Sequence, residues 1–197
     1  MNDDFLNRLI DSKQPQKLIL TEFLPSNEGN VIFYEDKLYS YVEVTNNSEN
    51  TIKLNDYYLS DDFNVIYKWR FPNVELKPGD VYLVYMNNLN KDNNASFDLK
   101  HKAGSLILST YNGVVEKIEY EQLTNGVAYI KKNNKWYQNI DISPGYSNND
   151  NGKQEFNKNN DVPNQGLIIN EVMSSNNKYL PQNGNQYYDW IELYNNS

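Results

Sequence analysis

Glu22 and Glu43 stand 21 residues apart, and Glu171 and Glu192 repeat that pair 149 positions further along. Carboxylates on two adjoining strands suit either of two roles. Joined by Asp61 and Asp62 from a loop, Glu22 and Glu43 would offer oxygens to Ca²⁺, which takes six to eight of them. Otherwise they serve the fold. Strand alternation sets Val42 and Val44 on one face and Tyr41, Glu43 and Thr45 on the other. Glu43 then lies on the polar face, or accepts backbone N–H groups at a strand end. No run has the acidic spacing of an EF-hand loop, so the structural role is the expectation and calcium at Glu22, Glu43, Asp61 and Asp62 is the alternative.

Little else invites chemistry. The single histidine, His101, lies between Lys100 and Lys102, with no nucleophile-elbow pattern beside it and no Gly-rich phosphate loop in the chain. The absence of cysteine removes thiol catalysis, disulfides and Cys-ligated zinc. No catalytic residue and no cofactor is nominated. Trp69, Trp136 and the many tyrosines would make a platform for sugar or peptide, but core anchors and cross-strand pairs are their commoner use. Asn46, Asn94 and Asn195 open glycosylation sequons, which mean little in so Asn-rich a chain.

The elements that must position these residues are strands. Asparagine favours turns, and 17 tyrosines against 7 phenylalanines and 3 tryptophans favour strands. Alternating runs recur at 17–24, 38–45, 51–60 with a bend, 65–71, 81–86, 105–110, 114–120, 126–131 and 135–138. Tyr111-Asn112-Gly113 predicts a hairpin with a type I′ turn. The polar run Asn87–Asn94 predicts a mobile loop, and 149–165, almost devoid of apolar residues, a flexible linker. Phe5, Leu6, Leu9 and Ile10 predict a short N-terminal helix within an extension over 1–16. Eight or nine short strands without a long helix predict an all-β sandwich.

Sliding the sequence by 149 positions lays Leu18–Ser48 over Leu167–Ser197 without a gap, with ten of 31 positions identical. A unit over 17–148 is therefore followed by the truncated start of a second over 166–197. The second copy reads Ile169-Asn170-Glu171-Val172-Met173 and Asp189-Trp190-Ile191-Glu192-Leu193-Tyr194-Asn195. The first has Thr21 for the Asn and Ser40-Tyr41-Val42 for Asp-Trp-Ile, and continues with Leu59-Ser60-Asp61-Asp62, Lys68-Trp69-Arg70-Phe71-Pro72, Leu76-Lys77-Pro78-Gly79-Asp80 and Ser143-Pro144-Gly145. These segments resemble the lamin tail domain, whose bacterial form opens with "INEVM-SN" and "DWIELYN-S" strands.

The resemblance implies an immunoglobulin-like β-sandwich serving as a non-catalytic binding or scaffolding module in a larger, exported bacterial protein at a cell or spore surface. The absence of a signal-peptide pattern leaves the cytosol open. Family members accompany secreted hydrolases, nucleases and spore-coat kinases of the CotH type, so an accessory role beside such an enzyme is the first rival. Nucleic-acid binding is the second; a net charge of −8 argues against it, and no apolar run is long enough to span a bilayer. The expected partner is a protein or an adjacent domain. Leu167, Ile168, Ile169, Trp190, Ile191 and Leu193 have no domain of their own to join, which predicts self-association through 166–197.

Overall fold

A computed structural model describes residues 17–27, 33–34, 37–160, 167–181, 184 and 186–195. The helix expected within 1–16 lies outside them. The chain divides into two compact units, Met1–Phe156 and Asn157–Ser197. The strands of the first are β1 (Leu18–Leu24), β2 (Phe33–Tyr34), β3 (Lys37–Leu38), β4 (Ser40–Asn46), β5 (Ile52–Lys53), β6 (Tyr57–Ser60) and β7 (Trp69–Arg70). They continue with β8 (Glu75–Leu76), β9 (Val81–Met86), β10 (Gly104–Thr110), β11 (Gly113–Tyr120), β12 (Ala128–Lys132) and β13 (Lys135–Asn139).

A five-stranded antiparallel sheet, β13-β12-β1-β4-β9, faces a four-stranded one, β11-β10-β6-β7. Leu18, Leu20, Phe23, Val42 and Val44 from the first meet Leu59, Trp69, Leu106, Leu108 and Tyr120 from the second in one core. Phe23 centres it, with the rings of Tyr129, Tyr120 and Trp136 at 4.9, 5.3 and 5.4 Å. Burying each such side chain is worth about 1.5–3 kcal/mol, which is what fixes the inward face of every strand. The fold is thus the all-β sandwich that the alternating runs predict, of the immunoglobulin-like kind that the resemblance implies. The outer face of the five-stranded sheet is covered too: Leu24, Tyr41, Ala128, Ile130 and Ile142 form a second, smaller core.

β1 pairs with β12 only from Glu22 onward. The exposed half of its edge is answered from the other sheet, where Glu116 on β11 accepts the Leu20 N–H at 3.1 Å and is neutralised by Lys131 at 2.5 Å. A buried backbone donor left unmet would cost about 1–3 kcal/mol, so this side chain replaces a missing strand.

Four local expectations need correction. The type I′ turn is not at Asn112-Gly113, since Thr110 pairs with Gly113 and only the glycine has positive φ. It falls between β12 and β13 at Asn133-Asn134, with φ of 51 and 59°. The run 65–71 pairs only at Trp69–Arg70, because Asp62 Oδ1 accepts the Asn64 N–H and turns the chain just before it. Asn87–Asn94 is hydrogen-bonded onto the β9 edge through Tyr85 N–H to Asn93 O and Asn87 Nδ2 to Asn94 Oδ1; asparagine's tolerance of left-handed backbone at Asn88 and Asn90 makes this tight path possible.

Finally, the segment read as a flexible linker over 149–165 contains α1 (Asp150–Asn160). Asn149 caps it, accepting the Gly152 N–H on its side chain and the Lys153 N–H on its carbonyl. Phe156 packs on Tyr146 and Lys153 pairs with Asp141. Gly152 is needed because a Cβ there would run into the Ser147 carbonyl. One aromatic anchor and a cap suffice where composition alone suggests a coil.

Candidate functional site

The paired glutamates meet on the covered outer face of the five-stranded sheet. Leu20 opposes Val44 and Glu22 opposes Glu43, so Thr21 is an extra residue, a β-bulge in β1. The bulge turns both Thr21 and Glu22 to the side carrying Tyr41, Glu43 and Thr45. Tyr41 O–H donates to Glu22 Oε1 at 2.5 Å, and Thr21 O–H donates to Glu43 Oε1 at 2.7 Å. Both glutamates are fully buried.

The segment after β13 closes over them. Gly145, in the left-handed region at φ 83°, donates its N–H to Glu43 Oε2 at 3.0 Å. Asn148 donates from Nδ2 to the Thr21 carbonyl at 2.9 Å. Glu22 Oε2 has no hydrogen bond among the described residues, although the Ser143 backbone N–H favours its charged form. Burial pushes the Glu22 carboxyl up to about 7, against the pull of Tyr41. Burial, and then repulsion from Glu22, push that of Glu43 up to about 8. With both carboxyls buried and repelling each other, the pair retains at least one proton between them at neutral pH. The arrangement latches the 143–148 strap to the bulge.

Asp61 and Asp62 are elsewhere. They follow β6 in the other sheet, Asp61 pairing with Lys68 at 2.5 Å and Asp62 turning the chain at Asn64. The four carboxylates do not gather, and no group of three or more metal-type side chains forms among the described residues. The calcium alternative thus lacks its ligand set. Trp69 is buried in the core and Trp136 packs against it. Asn46 and Asn94 are buried, the former with its amide donating to Asn50 O and Leu76 O, so neither offers an acceptor for sugar. Sequence reasoning missed Tyr41 and Gly145 as partners of the glutamates, and Asn148 as the donor that ties the strap to the Thr21 carbonyl. The available signal was that Ser143-Pro144-Gly145 is among the segments that carry the family resemblance.

The second unit carries β14 (Leu167–Met173) and β15 (Trp190–Asn195), a two-stranded antiparallel sheet of their own. Its register reproduces that of β1 and β4 residue for residue. Ile169 opposes Leu193 and Glu171 opposes Glu192, so Asn170 occupies the same bulge as Thr21. Asn170 also donates to the glutamate across from it, Glu192. Asn176 donates from Nδ2 to Tyr188 O, as Asn27 does to Tyr39 O, both at 2.9 Å. Burial differs completely. Leu20, Phe23, Val42 and Val44 are 0% exposed, while Ile169, Val172, Ile191 and Leu193 are 64, 60, 60 and 52% exposed. Trp190, at the place of Tyr41, is half-buried with its indole N–H unpartnered.

No curated protein and no solved structure matches the chain. The family model of the lamin tail domain matches residues 11–122, more than half of its length. That stretch holds the Glu22–Tyr41–Glu43 cluster and the strands from β1 to β11. The chain belongs to the lamin tail domain family, a family of non-enzymatic immunoglobulin-like domains.

Proposed function

We propose that the protein is a binding or scaffolding module built on tandem lamin tail domains, and that the β14–β15 hairpin is its attachment surface. Residues 17–148 form the complete domain and 166–197 open a second one. The observation that carries this is the shared register: six residue pairs, one bulge and one cross-strand Asn or Thr to Glu contact recur at a constant offset of 149. In the first copy β9 and β12 take the outer edges of the equivalent strands and the second sheet covers the apolar side. Among the described residues no further strand pairs with β14 or β15 and their apolar side chains are exposed, and an apolar hairpin with open edges is a template for another protein chain.

The occupant is a second copy of the chain, its hairpin stacked on the first so that the two exposed apolar faces meet. A setting at a cell or spore surface, and service beside an enzyme of the spore-coat kinase or secreted hydrolase kind, rest on the family resemblance and belong to this proposal. Sedimentation velocity of the full chain tests it. Concentration-dependent dimers are expected, and Ile191→Lys with Leu193→Lys should return a monomer. A monomer at all concentrations, with 167–195 cut at once by protease, removes the proposal.

A further inference from the structure

A cleft of about 640 Å³ opens at one end of the sandwich. Its walls are Lys17 before β1, Lys53 of β5, Asp56 from the 3-10 turn at Leu54–Asp56, Tyr58 of β6, Arg70 of β7 and Tyr111 at the β10–β11 tip. The four-stranded sheet, β5 and the residue before β1 all contribute, so the walls are held by the fold rather than by one loop. The volume lies within the range of about 300–1,000 Å³ typical of ligand sites.

Three cations face one carboxylate here, in a chain whose net charge is −8. None of the three belongs to an ion pair among the described residues. Arg70 is already oriented: its Nε–H donates to the Asn55 carbonyl at 2.6 Å and its guanidinium lies 5.9 Å from the Tyr58 ring centre. Its other donors carry no hydrogen bond among the described residues, leaving a fork suited to a planar anion. Tyr111 is 86% exposed at a hairpin tip, a position usually given to small polar residues.

We infer that this cleft binds an acidic polysaccharide. The carboxylates or phosphates of the glycan meet Lys17, Lys53 and Arg70, its sugar faces rest on Tyr58 and Tyr111, and Asp56 accepts from a hydroxyl. An aromatic face excludes water from the apolar side of a pyranose while the cations fix its charged substituents. An acidic peptide fits less well. Strand addition needs a long free edge, and β7, the edge strand at the cleft, has two residues. The inference rests on the protein being a binding module, but on a surface separate from the hairpin.

Calorimetric titration of the full chain tests it. The probes are a galacturonic acid hexamer, a phosphodiester-linked mannose hexamer, a neutral cellohexaose and a glutamate hexapeptide. One anionic glycan should bind with Kd of about 10–500 μM, and the first two probes tell carboxylate from phosphate as the preferred charge. Lys53→Gln with Arg70→Gln should weaken binding at least tenfold, and Tyr111→Ala about threefold. Lys17→Gln with Lys53→Gln leaves Arg70 and its contacts in place and should also weaken binding about tenfold, which separates lost recognition from lost folding. Ile191→Lys with Leu193→Lys should leave glycan binding unchanged, so failure here is distinct from failure of the hairpin proposal. Equal affinity for cellohexaose, tighter binding of the peptide, no response to the paired substitutions, or no anionic glycan bound overturns the inference.

Discussion

The two hairpins of this chain share a register and differ in everything that burial decides. In β1–β4 the inward side chains are sealed between sheets, and Glu22 and Glu43 are sealed beneath the 143–148 strap. In β14–β15 the matching side chains stand in solvent and Glu171 and Glu192 are exposed. The bulge and its cross-strand contact survive in both. Local sequence therefore suffices to set strand pairing and the bulge, whereas the altered carboxyl chemistry belongs to the complete domain. Exposed apolar strands beside open edges are costly to leave uncovered in water.

The comparison can be broken most forcefully at equivalent core positions. Phe23→Ala should cost about 3–5 kcal/mol in urea unfolding, since it empties the space among Tyr120, Tyr129 and Trp136. Val172→Ala, at the matching place, should change the main transition by less than about 0.5 kcal/mol. Equal effects would mean that both hairpins belong to one core.

Next comes pH. The ordinary carboxyl value is 4.5, and in the fold Glu22 and Glu43 are raised to about 7 and about 8. The native state then keeps protons that the unfolded chain has released. Their contribution is fully present below about 4.5 and is lost as pH rises through the folded values. Thermal unfolding from about pH 5 to pH 9 should show a fall of about 4–7 kcal/mol, flattened by Glu43→Gln. Stability that instead rises over this window would contradict the retained proton.

Smaller effects probe the latch. Gly145→Ala forces a side chain into left-handed backbone at φ 83° and should cost about 1 kcal/mol in the same assay. Thr21→Asn copies the second hairpin into the first. Since both side chains donate to the opposing glutamate, its effect should stay within about 0.5 kcal/mol.

Much of this was legible beforehand. Alternation located β1, β4, β9, β10 and β11 because each sends apolar side chains into the inter-sheet core at alternate positions, and the 149-residue offset located β14 and β15. The run 65–71 misled because its apolar Val65 and Tyr67 are exposed beside a turn set by Asp62. Helix α1 was hidden because its stability comes from Asn149, Phe156 and Lys153 rather than from an apolar stripe. Among the candidate site residues, the pairing of Glu22 with Glu43 follows from strand order. Their burial does not, because it depends on a strap more than 100 residues away, and Asp61 and Asp62 lie on the opposite sheet.

The central claim is that 167–195 is the same element as 18–46, with its apolar side left exposed. Both spans contain 29 residues. A chain in which 167–195 replaces 18–46 tests this directly by urea unfolding with hydrogen exchange. It should unfold cooperatively, about 2–4 kcal/mol less stable because Val replaces Phe23, with Ile169, Val172, Ile191 and Leu193 of the graft protected. An unfolded chimera, while Leu20→Ile, Phe23→Val, Val42→Ile and Val44→Leu are each tolerated singly, would contradict it.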